Sequence, residues 1–306
     1  MINEEKRKRI FDLCKNDLSR VYMINKFFRL VSFLSGSELI LPFRLHKYQE
    51  DILYKSVKSD KLIVRQSRQT GMTSAFTAKM ACDLFFGNEG ETFFIFSPKY
   101  ENTMRIMNTL RTFLTQIPSW MYDLAGKTNV IDGNYKYIGL KNGAKVIRGD
   151  EKGLCFRGYN LPPRLFFDNA AYIPYMTHII ESALPLSQSN SQQIVLSSTP
   201  NWDKTGKDFK KLFFRSKGLF NSVSVQWWNC DGEWTENLKW IDCDGDELDK
   251  YELATTTEDD RFKMGFYPTS DWYERMCRQM GNKKRMIHNE IDGLFKGEPY
   301  PEDNLE

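Results

Sequence analysis

Paired cysteines, histidines, long apolar runs and a surplus of either charge are scarce in this 306-residue chain, and each scarcity removes a class of protein. The six cysteines, Cys14, Cys82, Cys155, Cys230, Cys243 and Cys277, contain no Cys-x-x-Cys pair, and only His46, His178 and His288 are at hand to complete a metal site. Neither a zinc module nor a disulfide framework is expected, and the thiols read as reduced. No apolar run approaches the roughly 20 residues that cross a bilayer, and the basic start Lys6-Arg-Lys-Arg9 leads into mixed residues instead of an apolar signal segment. A cytoplasmic protein with no membrane partner is expected. With 43 basic and 40 acidic residues the net charge is +3, so contact with nucleic acid has to come from local patches and not from a global field. What the chain has in quantity is core: 41% hydrophobic and 14% aromatic residues suffice for one large or two modest domains.

One stretch organises the rest. Leu62-Ile-Val-Arg-Gln-Ser-Arg-Gln-Thr-Gly-Met-Thr-Ser-Ala-Phe-Thr-Ala-Lys79 is a short apolar run, a polar turn and a run of small, helix-forming residues. Strand, tight turn and helix start in that order bring backbone N–H groups and the positive helix end to a phosphate. Against the phosphate-binding loop pattern, Gly71 and Thr73 stand in place, whereas Gln66 occupies a glycine position and Met72 the lysine position. Taken alone, the stretch equally fits an ordinary strand-to-helix turn.

Taken in order, residues 3–34 alternate charged and apolar positions at near-helical spacing, which predicts one or two amphipathic helices closed by Ser35-Gly-Ser37. A helix follows from Pro42 and carries Tyr48 and Gln49, whose ring and amide suit stacking on and pairing with an adenine edge. Beyond the loop come helix 73–86, a β-rich run Thr92-Phe-Phe-Ile-Phe-Ser97 and an amphipathic segment 100–117. Alternating strands and helices predict a parallel sheet covered on both faces. Asn142-Gly143 between two apolar runs predicts a hairpin on that sheet.

Two further strand ends carry chemistry. Pro163-Arg-Leu-Phe-Phe-Asp168 is an apolar strand ending in a carboxylate, the type of ligand Mg²⁺ needs beside phosphates. The next residue, Asn169, can orient a water but cannot accept its proton. Gln192-Gln-Ile-Val-Leu-Ser-Ser-Thr-Pro-Asn201 ends in hydroxyls suited to a γ-phosphate sensor. A helix cap and a polar turn are the plain alternatives for these two ends. Their order and βα-sized spacing after the loop raise the reading above its parts.

Tyr48-Gln49, Ser67-Arg-Gln-Thr-Gly-Met-Thr73, Phe156-Arg-Gly158, Phe167-Asp-Asn-Ala-Ala-Tyr-Ile-Pro174 and Ser197-Ser-Thr-Pro-Asn201 together resemble the ATPase domain of tailed-phage large terminase subunits, closest to the T4-like branch. The resemblance covers about residues 20–297, including a closing segment from Trp272 to Phe295. It implies an α/β P-loop NTPase of the ASCE type, with a mainly parallel sheet flanked by helices and a small C-terminal subdomain. The expected organisation is a helical lead-in over 1–40, the core over 41–204, the subdomain over 205–297 and a tail over 298–306.

The same resemblance implies the roles. Tyr48 and Gln49 contact the adenine of ATP; Ser67, Gln69, Thr70, Gly71, Met72, Thr73 and Ser74 wrap the phosphates. Arg68 and Arg157 stand near the γ-phosphate, Thr73 and Asp168 hold Mg²⁺, Asn169 takes the place of the catalytic glutamate, and Ser197, Ser198, Thr199, Pro200 and Asn201 couple hydrolysis to DNA movement. The implied partners are double-stranded DNA held without sequence reading, a phage portal protein, a small terminase subunit and further copies in a ring, within the host cytoplasm. Arg65 is the candidate substitute for the missing lysine. The nuclease of such proteins is not expected here.

Met72 and Asn169 weigh on rate. Removing one electrostatic donor costs about 10²–10³ in rate, and removing a general base about 10²–10⁴. Nucleotide binding is therefore better supported than hydrolysis, which keeps open a non-hydrolysing regulatory or structural partner. A helicase-like ATPase shares the anchors but calls for further arginine motifs that the chain lacks. The acidic stretch Asp242–Asp249 departs from a calcium loop at two key positions and reads as solvated, and Trp227, Trp228, Trp234 and Trp240 read as packing residues.

Overall fold

Strands that are apolar at nearly every position can be stable only with both faces covered, and that condition shapes this molecule. The computed structural model describes residues 3–34, 37–127, 131–134, 136–150, 163–183, 193–215 and 219–298. Two helices lead in, α1 (Glu4–Lys15) and α2 (Arg20–Phe27). Residues 29–34, read as helical, instead form β1 (Arg29–Leu34), paired antiparallel with β2 (Ser37–Pro42). Val31 and Phe33 favour extended backbone, and ladder pairing outweighs a weak helical period.

The core begins with α3 (Lys47–Lys58), β3 (Lys61–Gln66), α4 (Met72–Phe86), β4 (Thr92–Phe96), α5 (Tyr100–Gln116) and α6 (Ser119–Ala125). The meander β5 (Ile131–Gly133), β6 (Tyr137–Leu140) and β7 (Lys145–Arg148) contains the expected Asn142-Gly143 hairpin, with Gly143 at φ +82°. Then come β8 (Arg164–Asp168), α7 (Met176–Ala183), β9 (Ile194–Ser198), α8 (Gly206–Arg215) and β10 (Asn221–Val225). One eight-stranded sheet runs in the order β10-β3-β9-β8-β4-β7-β6-β5, parallel from β10 to β7 and antiparallel beyond.

Alternate strand residues serve opposite layers, as a two-residue side-chain period requires. Leu62, Val64, Phe93, Ile95, Phe166 and Val195 join the core under α4 and α5, while Ile63, Phe94, Leu165, Phe167, Ile194 and Leu196 join the core that includes α7 and Phe209 of α8. β10 falls within 205–297 yet forms an edge strand of the main sheet. A third core gathers from Trp227 onward, with Trp228, Trp240, Leu248, Trp272, Ile287 and Ile291. Around it lie β11 (Lys239–Ile241), α9 (Lys250–Thr255), α10 (Glu258–Lys263), β12 (Tyr267–Thr269), α11 (Asp271–Gln279) and a single π-helical turn at Ile287–Ile291. The tryptophans thus pack as expected, and the acidic loop is a solvent-exposed turn in which Asp242 accepts from the N–H groups of Asp244 and Asp246. Among the described residues no helix is long and apolar enough to cross a membrane.

Candidate nucleotide site

Parallel strands put all their C-terminal ends on one edge, so the loop after β3, the end of β9 and the end of β8 lie side by side. The loop needs two left-handed residues to turn from strand to helix: Gln69 at φ 65° and Gly71 at φ 69°. A Cβ on Gly71 would come within 2.7 Å of Gln49 Nε2, so both conformation and space call for glycine there. The loop is braced from outside. The Tyr48 hydroxyl and Gln49 Nε2 donate to the Thr70 carbonyl at 2.8 and 2.9 Å, the Thr70 hydroxyl donates to the Ser67 carbonyl, and the Trp227 N–H donates to Ser67 Oγ at 2.9 Å. Burial pushes the Tyr48 hydroxyl well above its usual pKa, keeping it a neutral donor. Helix α4 then starts with no acidic residue in its first turn, and its first N–H groups lack intrahelical partners. That end suits an anion.

Across β9 from the loop, Thr73 Oγ1 donates to Asp168 Oδ1 at 2.6 Å, and Asn169 Nδ2 donates to Asp168 Oδ2 at 2.9 Å. Asp168 is buried, and burial raises its pKa to about 6 despite the hydrogen bonds from Thr73 and Asn169. These partners are neutral, so a buried carboxylate stands beside a hydroxyl with no cation to balance it. Two hard oxygens in that condition fit Mg²⁺. A cleft of about 270 Å³ opens here, lined by Thr73, Ser74, Thr77, Arg105, Asp168 and Asn169 among others.

Between the two lies the end of β9. Ser197 Oγ donates to Gln66 Oε1 at 3.0 Å, and Ser198 Oγ accepts from the Ala171 N–H at 3.1 Å. Asn201 Nδ2 donates to the Ala171 carbonyl at 3.2 Å. Tyr172 joins this group: its hydroxyl lies 3.1 Å from the Pro200 carbonyl oxygen and 3.4 Å from the Thr199 hydroxyl. It also donates to Glu290 Oε1 at 2.8 Å. Glu290, from the π-turn, accepts the Arg68 N–H on its carbonyl at 2.7 Å and faces Arg68 Nη1 across 3.6 Å.

The structure therefore brings together Ser67 through Thr73, Ser74, Asp168, Asn169 and residues 197–201. Three expectations change. The Met72 side chain is 1% exposed and lies in the core under α4, leaving only its backbone N–H for a phosphate, because the first helical turn points this position inward. Arg65 does not serve the loop: its Nη1 is bound by the Glu298 carboxylate at 2.6 Å and its guanidinium lies over Phe213 and Phe295, since alternate residues of β3 face opposite layers. Gln49 is 3% exposed and works as a brace, with its amide oxygen accepting from the His46 N–H as well. Arg157 lies outside the described residues.

Sequence reasoning missed Tyr172, Glu290 and Arg105 as members of the site. Nothing in their local spacing marks them, because each arrives from a distant segment.

No known family profile matches the chain, and no curated protein matches it. Solved structures do. The large terminase ATPase domain of Thermus phage P74-26, in an arginine-to-alanine mutant form, superposes with a TM-score of 0.53 at 15% identity over 83% of this chain and 95% of that one. The large terminase of bacteriophage HK97 superposes with a TM-score of 0.55 at 12% identity, over 95% of this chain. The chain has the fold of a large terminase ATPase domain. It spans 55% of the length of the HK97 protein. At such identities the likeness concerns the fold, and the chemistry has to be argued from the terminase-like strand ends described above.

Proposed function

We propose that this chain is the ATP-binding subunit of a viral DNA-packaging motor of the large terminase family. The observation that carries the reading is Thr73 against Asp168 at 2.6 Å, across a strand from a loop whose backbone is braced from Tyr48, Gln49 and Trp227. In this reading the N–H groups at the start of α4 and the half-exposed Arg68 receive the phosphates, and Thr73 and Asp168 hold Mg²⁺. Bound there, the ion balances the charge that develops on phosphate oxygens. Ser197 through Asn201 carry the change outward to double-stranded DNA gripped by its backbone. The expected surroundings are a portal protein, a small terminase subunit and further copies in a ring, in the host cytoplasm.

One specific observation favours a second reading, a non-hydrolysing partner of an active copy. Asn169 offers an amide where a proton acceptor is needed, and the buried Met72 leaves the position of the phosphate-binding lysine without charge. The test is calorimetry of ATP with Mg²⁺ paired with phosphate release on the same sample. Turnover stimulated by portal and DNA supports the motor; binding without turnover supports the regulatory partner; absence of binding overturns both.

A further inference from the structure

Glu290 stands between the loop and the end of β9, and it is held there from several sides. Gly293, at φ +64°, lies so close to the loop that a Cβ would be 3.0 Å from the Gln66 carbonyl oxygen. The Trp202 indole N–H donates to the Leu294 carbonyl at 2.7 Å, and buried Asp292 accepts from the Trp227 indole at 3.2 Å. The main chain of this segment is thereby fixed against residues 66–68. One contact in the group is loose: Arg68 is 55% exposed, Glu290 20%, and their charged ends are 3.6 Å apart. Such a pair is weakly held, whereas a phosphate offers a guanidinium more charge and paired oxygens. On its other oxygen Glu290 accepts from Tyr172, which reaches Thr199 and Pro200.

We propose that Glu290 is a positioning residue: it holds Arg68 while the site lacks a γ-phosphate and yields it when ATP binds, passing the change through Tyr172 to Thr199 and Pro200. This inference rests on the ATP-binding reading above. ADP, which has no γ-phosphate, leaves the Arg68–Glu290 contact in place, and that difference between ligands is what allows a shift between two states. No covalent bond changes in this step. The step is an exchange of one anion for another on the same guanidinium.

The test is a double-mutant cycle read by calorimetry, with Mg²⁺ and either ATPγS or ADP, on the whole chain as wild type, Glu290→Gln, Arg68→Ala and the double variant. Glu290→Gln keeps the shape and an acceptor for Tyr172, and thermal melting checks that it folds; Glu290→Asp, which keeps the charge but shortens the reach, is the second variant. Removing the competing charge is expected to tighten ATPγS about 3- to 10-fold, the effect of one half-exposed charge, and to leave ADP within about twofold. In the Arg68→Ala background the effect disappears. An equal shift for both nucleotides, no shift, or a shift that persists without Arg68 overturns the inference while the ATP-binding reading stands. Failure of the wild type to bind ATPγS overturns that reading, and this one with it.

Discussion

Helix α4 and strand β8 meet at both of their ends, and a buried aspartate marks each meeting. At the start of the strand, Asp83 faces three cations: Arg20 at 2.6 Å, Arg164 at 3.3 Å, and Lys79. At the end of the strand, Asp168 faces only the neutral Thr73 and Asn169. Burial is nearly equal, 2% and 3% exposed. The consequences are opposite. Burial alone raises either carboxylate, yet Lys79, Arg20 and Arg164 outweigh it and hold Asp83 below the usual range, while Asp168 is left at about 6. A buried acid supplied with cations by its own chain is an anchor, and one supplied with none is a place for a cation from outside.

Breaking the anchored end is expected to have the largest effect. Asp83→Ala strands three buried or half-buried cations and costs about 3–5 kcal/mol of folding stability, measured by urea unfolding. Next comes pH. Because the folded pKa of Asp83 lies below the unfolded one, its contribution is fully present above about pH 4 and drains away as pH falls through the lower folded value. Acid unfolding of the wild type followed by circular dichroism should be steep there, and Asp83→Asn should flatten it.

At the working end the order reverses. Asp168→Asn removes a carboxylate whose ionisation folding opposes, so at pH 8 the ligand-free protein gains up to about 3 kcal/mol in the same unfolding assay. The same variant loses the Mg²⁺-dependent part of ATP binding by calorimetry. Gly71→Ala combines a left-handed conformation with a 2.7 Å approach to Gln49 and costs about 1–3 kcal/mol, together with weaker nucleotide binding. The smallest effect is expected at Arg285–Asp203, 2.9 Å apart but exposed on both sides, where Arg285→Ala changes stability by less than about 0.5 kcal/mol.

The strand ends were legible because their signals are local. An apolar run into Gln66-Ser-Arg-Gln-Thr-Gly71, another into Asp168 and a third into Ser197 each state where a strand stops and what stands there. The hairpin at Asn142-Gly143 was legible for the same reason, since two residues specify that turn. The β1–β2 pair was not, because pairing partners beyond the window turned a weak helical period into a ladder. The direction of the Met72 and Arg65 side chains was equally hidden: spacing assigns a residue to a loop or a strand, but which layer it faces depends on how the helix and sheet pack.

What the sequence determined by itself is the βα order, the loop with Gly71 and Thr73, and the carboxylate at Asp168, all matters of backbone propensity and hydrophobic period over a few residues. Only the tertiary structure decided that Thr73 touches Asp168 across an intervening strand, that Gln49 braces the loop, that Arg65 is taken by Glu298, and that Glu290 meets Arg68 and Tyr172. Those contacts join residues separated by about 20 to more than 200 positions. Short-range preferences carry no information at that distance; the sheet order and the packing of its two layers supply it.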